Sequence, residues 1–218
     1  ASLPQYTGAA NVIKRLLDII GSLCALIISS PILLGVAIAI KLDDGGPVFF
    51  SQTRIGLHGK PFKMYKFRSM EIQKESEEKK AWTVKNDPRV TGIGKFMRHT
   101  SLDELPQLFN ILKGDMSLVG PRPERPEIAE KYLESIPEFS FRLKVKAGLT
   151  GFAQVYGKYN TTPYDKLKLD LYYIEHYSFW LDIKLILMTF KIMFMKDNTE
   201  GVEKNQKTAT ITKDVLKK

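Results

Sequence analysis

Residues 19–40 read IIGSLCALIISSPILLGVAIAI, 22 residues without a charge, with Ser29, Ser30 and Pro31 at the centre. A membrane-spanning helix needs roughly 20 mostly apolar residues, so the length suffices for a crossing. The punctuation argues against a plain one. Pro31 has no N–H to give the carbonyl of Ile27, four residues back, and its ring crowds that carbonyl, so a helix through this point bends or breaks. In hydrocarbon the freed carbonyl finds no water and is costly unless a neighbour donates to it. Ser29 and Ser30 carry hydroxyls within reach of that turn.

Outside this run the chain is ordinary for a globular protein: 218 residues, enough for one substantial domain, with a formal net charge of +9. The charge implies attraction to something anionic, whether nucleic acid, phosphorylated small molecules or acidic lipid. The single cysteine, Cys24, lies inside the apolar run, which excludes a disulfide framework and a metal–thiolate site. Lys14 and Arg15 precede the run as they would in a secretory signal, but the run is too long for a signal core and no small-x-small cleavage site is followed by a separate mature start. It is read as a retained membrane segment.

Residues 1–10 read as a loose leader, 11–42 as a long helix ended by the DDGGP loop, and 43–197 as the following domain. In that domain PVFFSQTRIGLHGKPFKMYKFRSM (47–70) predicts two strands joined by a turn at 56–60. A period of two along the second strand puts Phe62, Met64, Lys66 and Arg68 on one face. EIQKESEEKKAW (71–82) reads as a solvated charge run. Two short helical stretches and a Pro-rich turn precede a helix over 127–135, and the glycine-punctuated GLTGFAQVYGK (148–158) reads as a loop. Helices are expected over 165–177 and 180–195, then a disordered Lys- and Thr-rich tail over 198–218. Asp182, Lys184 and Lys191 make a crossing by the last helix expensive, so it is expected to lie along an interface or in the core. GIG at 92–94 lacks the third glycine and preceding strand of a dinucleotide fingerprint.

The chemistry concentrates in SLDELPQLFNILKGDMSLVGPRPE (101–124). Ser101 and Glu104 fit a capping box, which accounts for the acids without catalysis. Pro106 fits better in the first turn of a helix that starts at Asp103, and such a start exposes N–H groups that bind phosphate. Adjacent carboxylates repel unless a cation joins them, and Mg²⁺ takes one or two carboxylates together with phosphate oxygens and water. Arg98, Arg122, Lys66 and Arg68 supply cations, the arginines as bidentate phosphate forks. The residues themselves thus suggest metal-assisted phosphoryl transfer.

These stretches, with KRLLDIIGSLCALIISSPILL, YKFRSM, GLTGFAQVYGK and DLYYIEHYSFWLDIKLI in the same order, resemble the monotopic phosphoglycosyl transferases of the bacterial sugar transferase family. The resemblance runs from about Val12 to Phe194. It implies an α+β, mostly helical, membrane-associated catalytic domain with a re-entrant membrane helix broken at Ser30 and Pro31, and interfacial amphipathic helices. It also implies transfer of a hexose 1-phosphate from a UDP-sugar to undecaprenyl phosphate with release of UMP. Asp103 would be the nucleophile and the Mg²⁺ ligand, Glu104 its partner, Arg98 and Arg122 phosphate anchors, and Asp170 and Asp182 supporting acids. Lys66 and Arg68 lie in the matching basic strand. Both ends of the apolar run would then face the cytoplasm at the bacterial inner membrane, with Pro31 making the bend. A homodimer is left open. The competing classes are a membrane-anchored scaffold without chemistry and a nucleic-acid-binding membrane protein. The second is disfavoured because no basic–aromatic module is present, so no nucleic-acid partner is expected.

Overall fold

The structure is a computed structural model, and it describes residues 8–71, 87–157 and 161–193. The expected tail, most of the leader and the charge run after Glu71 lie outside them.

The apolar run forms one helix, α1 (Gly8–Asp44), that continues through Pro31 instead of stopping there. The reason lies in the two serines. The hydroxyl of Ser30 donates to the Ile27 carbonyl at 2.8 Å, which is the acceptor that Pro31 leaves free, and Ser29 donates to Ala25 O at 2.6 Å. The helix is therefore longer at both ends than 11–42, and its backbone is not broken at the proline.

The polarity of α1 is reversed with respect to a soluble amphipathic helix. Lys14, Asp18 and Ser22, spaced four apart on one face, are buried against the rest of the protein. The large apolar residues around them, Ile20, Ile27, Ile28 and Leu34 among them, are exposed, Ile28 at 78%. Such a surface is stable against hydrocarbon and unfavourable against water.

A hairpin follows. Strands β1 (Phe49–Ile55) and β2 (Pro61–Phe67) pair antiparallel from Phe49 opposite Phe67 to Ile55 opposite Pro61. The turn falls where expected, as a 3₁₀ turn at Leu57–Gly59. Then come α2 (Gly92–His99), α3 (Gln107–Lys113), strand β3 (Met116–Val119) and α4 (Pro126–Ser135). A 3₁₀ stretch (Pro137–Lys144) leads into β4 (Ala147–Thr150), α5 (Phe152–Tyr156), α6 (Pro163–Glu175) and α7 (Phe179–Met193). Gly94 of the GIG stretch serves packing: a Cβ there would stand 2.1 Å from the Ser69 carbonyl oxygen.

The sequence reading missed β3 and β4, which pair in parallel, Met116 with Ala147 and Val119 with Thr150. The glycine loop at 148–158 is thus part strand and part helix. Gly148 is required because a Cβ there would meet Gly120 N at 2.1 Å. One core cluster (Met64, Leu108, Ile111, Met116, Ala147) joins the hairpin to this pair, and a second (Val119, Val145, Tyr173, Ile174, Leu185) joins the pair to α6 and α7. A third (Val36, Ile40, Phe67, Met97) seats α1 on the hairpin and α2. On α7, Asp182 and Leu185 point inward, and Trp180, Leu187 and Phe190 are exposed.

Candidate active site

Strand β3 runs into the loop that carries Arg122, β2 carries Lys66, and the turn between α2 and α3 carries the acid pair. That turn begins at Ser101, whose φ of +56° puts a non-glycine residue in the left-handed region. Leu102–Glu104 then make one 3₁₀ turn, and Pro106 precedes α3 at a position that needs no N–H. The expected capping box does not form. Left-handed Ser101 makes no side-chain cap, and Glu104 is turned toward cations. Nor does an α-helix start at Asp103; α3 begins at Gln107.

Glu104 is clamped from two sides. Lys66 Nζ donates to Oε1 at 2.6 Å, and Arg122 reaches both carboxylate oxygens, Nη1 to Oε2 at 3.2 Å and Nη2 to Oε1. Burial works against its charge, but Arg122 and Lys66 outweigh it and hold the Glu104 carboxyl far below the usual carboxylate range. Asp103 is in the opposite condition. Its residue is only 8% exposed, and among the described residues its carboxylate takes no hydrogen bond and no ion pair. Burial pushes its pKa up; the charges of Lys66, Arg98 and Arg122 pull down, and that of Glu104 adds to the rise. The pair thus divides into a neutralised anchor and an acid with an open side.

Arg98 stands in the last turn of α2, its Nε donating to Ser69 Oγ at 2.9 Å, and its charge acts on Asp103. Four of the expected residues, Asp103, Glu104, Lys66 and Arg122, therefore form one cluster with Arg98 beside it. Arg68 does not join them. Strand β2 ends at Phe67, the alternation expected from Phe62 to Arg68 ends with it, and the Arg68 guanidinium is committed to the Asp44 carboxylate and, at 2.7 Å, to Pro47 O.

The two late acids serve the frame. Asp170 lies 2.7 Å from Arg142 Nη2, and Arg142 donates to the Arg122 carbonyl at 2.8 Å, so this acid reaches the site through one intermediary. Asp182 accepts from Lys14 Nζ at 2.7 Å and from the Tyr173 hydroxyl at 2.8 Å, which ties α1 to α6 and α7. Arg142 was not legible as a site residue. In the run EFSFRLKVK it resembles its solvated neighbours, and only the long-range contact reveals it.

Among the described residues no three metal-ligating side chains converge. A divalent ion here would rest on Asp103 and complete its shell with substrate phosphate and water, as Mg²⁺ commonly does. The buried Asp103 carboxylate, without a partner among the described residues while its neighbour has two, fits that arrangement.

A helical domain docked on an apolar-faced helix, with a carboxylate pair set among fixed cations, defines a membrane-associated protein whose site suits phosphate-bearing molecules. The chain belongs to the bacterial sugar transferase family, whose model matches residues 9–196. It is similar to a UDP-glucose:undecaprenyl-phosphate glucose-1-phosphate transferase of Klebsiella pneumoniae, 49% identical over 84% of this chain and 40% of the relative. A Salmonella typhimurium undecaprenyl-phosphate galactose phosphotransferase is 41% identical over 87% of this chain and 42% of its own length. A UDP-glucose:undecaprenyl-phosphate glucose-1-phosphate transferase of Caulobacter vibrioides is 40% identical over 87% of this chain and 73% of its own length. The chain thus spans about two fifths of the Klebsiella and Salmonella relatives.

Proposed function

We propose that this domain transfers a hexose 1-phosphate from a UDP-sugar to undecaprenyl phosphate at the cytoplasmic face of a bacterial inner membrane, and so starts assembly of a polysaccharide or glycoconjugate. The observation that carries the reading is the asymmetry of the acid pair: Glu104 saturated by Lys66 and Arg122, and Asp103 buried beside it without a partner among the described residues. A carboxylate kept from hydrogen bonds retains its lone pairs for attack. The names of the relatives supply the substrate classes.

In the reaction so read, an Asp103 oxygen attacks the β-phosphorus of the UDP-sugar. The bond from that phosphorus to the bridging oxygen breaks, and UMP leaves with the electron pair. A phosphate oxygen of the lipid then attacks the same phosphorus, and the pair of the breaking O–P bond returns to Asp103. Arg122 and Arg98 hold phosphate oxygens through both steps, and Glu104 keeps Lys66 and Arg122 in place. Mg²⁺, when bound at Asp103 and the phosphates, supplies neutralising charge at the diphosphate. In this reading the exposed apolar side of α1 enters the bilayer and a bend of the continuous helix at Pro31 returns it, the Ser30 hydroxyl satisfying the Ile27 carbonyl that Pro31 leaves without a backbone donor.

The test is a lipid-free incubation with UDP-sugar and Mg²⁺. It is expected to release at most one UMP per site, apart from slow hydrolysis, and to leave a hexose-phosphate adduct visible in the intact mass. Asp103→Asn abolishes both. Full turnover on adding lipid, with no adduct on the parent at any stage, would remove Asp103 from the nucleophile's role.

A further inference from the structure

The loop that presents Arg122 belongs to no helix or strand, and two of its residues, Pro121 and Pro123, have no N–H. Its carbonyls must be satisfied from elsewhere, and all four in a row are. Pro121 O accepts from Gly148 N at 3.0 Å, and Glu124 O accepts from Ile55 N at 2.9 Å. Between them, Pro123 O accepts from Arg54 Nη1 at 3.2 Å, and Arg122 O accepts from Arg142 Nη2 at 2.8 Å. The residue whose side chain forks onto Glu104 is thus gripped from behind by a second guanidinium.

That second guanidinium is itself fixed. Arg142 is 3% exposed, and an uncompensated charge at such depth is not tolerated. Asp170 lies 2.7 Å from Nη2, Glu124 lies 3.6 Å from Nη1, and the Phe139 ring covers its Cζ at 4.6 Å. Lys166 takes up Glu124 from the other side. Among its contacts with the described residues, the Arg122 carbonyl is the one that leads back to the acid pair, and a buried arginine costs too much to serve as filler.

We propose that Arg142, seated on Asp170, is a positioning residue that locks the Arg122 backbone and so aims the Arg122 guanidinium at Glu104 and at the substrate phosphate. This rests on the phosphoryl-transfer reading above. Lysine cannot reproduce the geometry, because a single ammonium cannot serve the carbonyl and both carboxylates in the plane of a fork.

The experiment is a double-mutant cycle on the full chain in detergent or nanodiscs, read both as UMP release from UDP-sugar with lipid and as affinity for UDP by calorimetry. Arg142→Lys is expected to lower kcat/KM roughly 100-fold, the scale of a misplacement of about 1 Å, and to weaken UDP binding. In an Arg122→Ala background it is expected to change neither further. Asp170→Asn, which leaves Arg142 its carbonyl partner and Glu124, is expected to show the same dependence on Arg122 with a smaller loss, and it carries the test if Arg142→Lys does not fold. Equal losses in both backgrounds, or no loss in the parent, would overturn the inference. A parent that binds UDP without releasing UMP would refute the reaction and leave the binding cycle to decide the positioning role. A parent that does not bind UDP would overturn both.

Discussion

Replacing Glu104 by Gln keeps the shape of the clamp and removes its charge, leaving Lys66 and Arg122 facing each other without an anion. Breaking a buried ion pair costs about 3–5 kcal/mol. Here Glu104 is a fifth exposed at its side chain and Arg122 a third, so solvent screens part of the interaction, and the glutamine oxygen still accepts one bond. Asp103 also loses a like-charged neighbour, which relieves some of the rise in its pKa. The net expectation is a loss of about 2 kcal/mol at neutral pH, or about 4–8 °C in Tm for a chain of this size. The loss has a pH signature. A carboxylate whose folded-state pKa lies below its ordinary value, 4.5 for Glu104, stabilises the fold above that value and ceases to do so as pH falls toward the folded one. The gap between parent and variant is therefore present at neutral pH, where Glu104 is charged, and closes progressively as pH falls below about 4.5. Thermal melts by circular dichroism in a single detergent, from pH 8 down to the lowest at which the parent folds, give the curve. A gap that persists unchanged in acid, or widens there, refutes the charge clamp as its origin.

Three further substitutions address other parts of the structure. Arg122→Lys retains charge but loses the fork on Glu104, so kcat/KM is expected to fall by about 1–3 kcal/mol of transition-state stabilisation, and steady-state UMP release shows whether it does. Lys14→Met leaves the buried Asp182 charge without its cation, with only the Tyr173 hydroxyl still donating to it, and is expected to cost about 3 kcal/mol, whereas adding Asp182→Leu restores most of it; denaturation midpoints of the parent and the two variants decide. Pro31→Ala gives Ile27 O a backbone donor and removes the reason for a bend. Cysteines placed at positions 5 and 45 in a Cys24→Ala background, which react with an impermeant maleimide from one side of sealed vesicles in the parent, are expected to react in part from opposite sides; unchanged labelling would show that Pro31 does not set the topology.

Much of this was legible from local patterns. The apolar run gave α1 to within a few residues, and the missing N–H of Pro31 pointed to a serine on Ile27 O, which is the bond that forms. The acid pair stood out because two adjacent carboxylates before a proline are poorly explained by helix formation alone. What failed were extrapolations of a pattern past the point where the backbone changes. The strand alternation places Arg68 one residue beyond the end of β2, and a helix start at Asp103 gives way to a single 3₁₀ turn behind left-handed Ser101, with the α-helix beginning at Gln107. What was invisible depended on distance along the chain. Strands β3 and β4 are four residues each and pair across a separation that leaves no periodicity to detect. The same holds for Arg142, whose partners Arg122 and Asp170 lie 20 and 28 positions away.

The inverted polarity of α1 means that this helix is half of the domain's foundation as well as its attachment. Asp18 accepts from Ser117 Oγ at 3.0 Å and from Leu118 N at 2.9 Å, on the strand that leads to Arg122. Arg15 donates to Ile111 O and, at 2.6 Å, to Leu112 O, closing the end of α3. A truncation meant to yield a water-soluble enzyme would uncover these groups together with Asp182, and the remainder would have neither the lipid nor the helix it was shaped against. Exchanging the segment for a generic hydrophobic anchor would fail for the same reason. A chimaera has to inherit Lys14, Arg15 and Asp18 in register and to keep Ser30 and Pro31, whereas the rest of its outward side is free to take any apolar sequence that fills the bilayer.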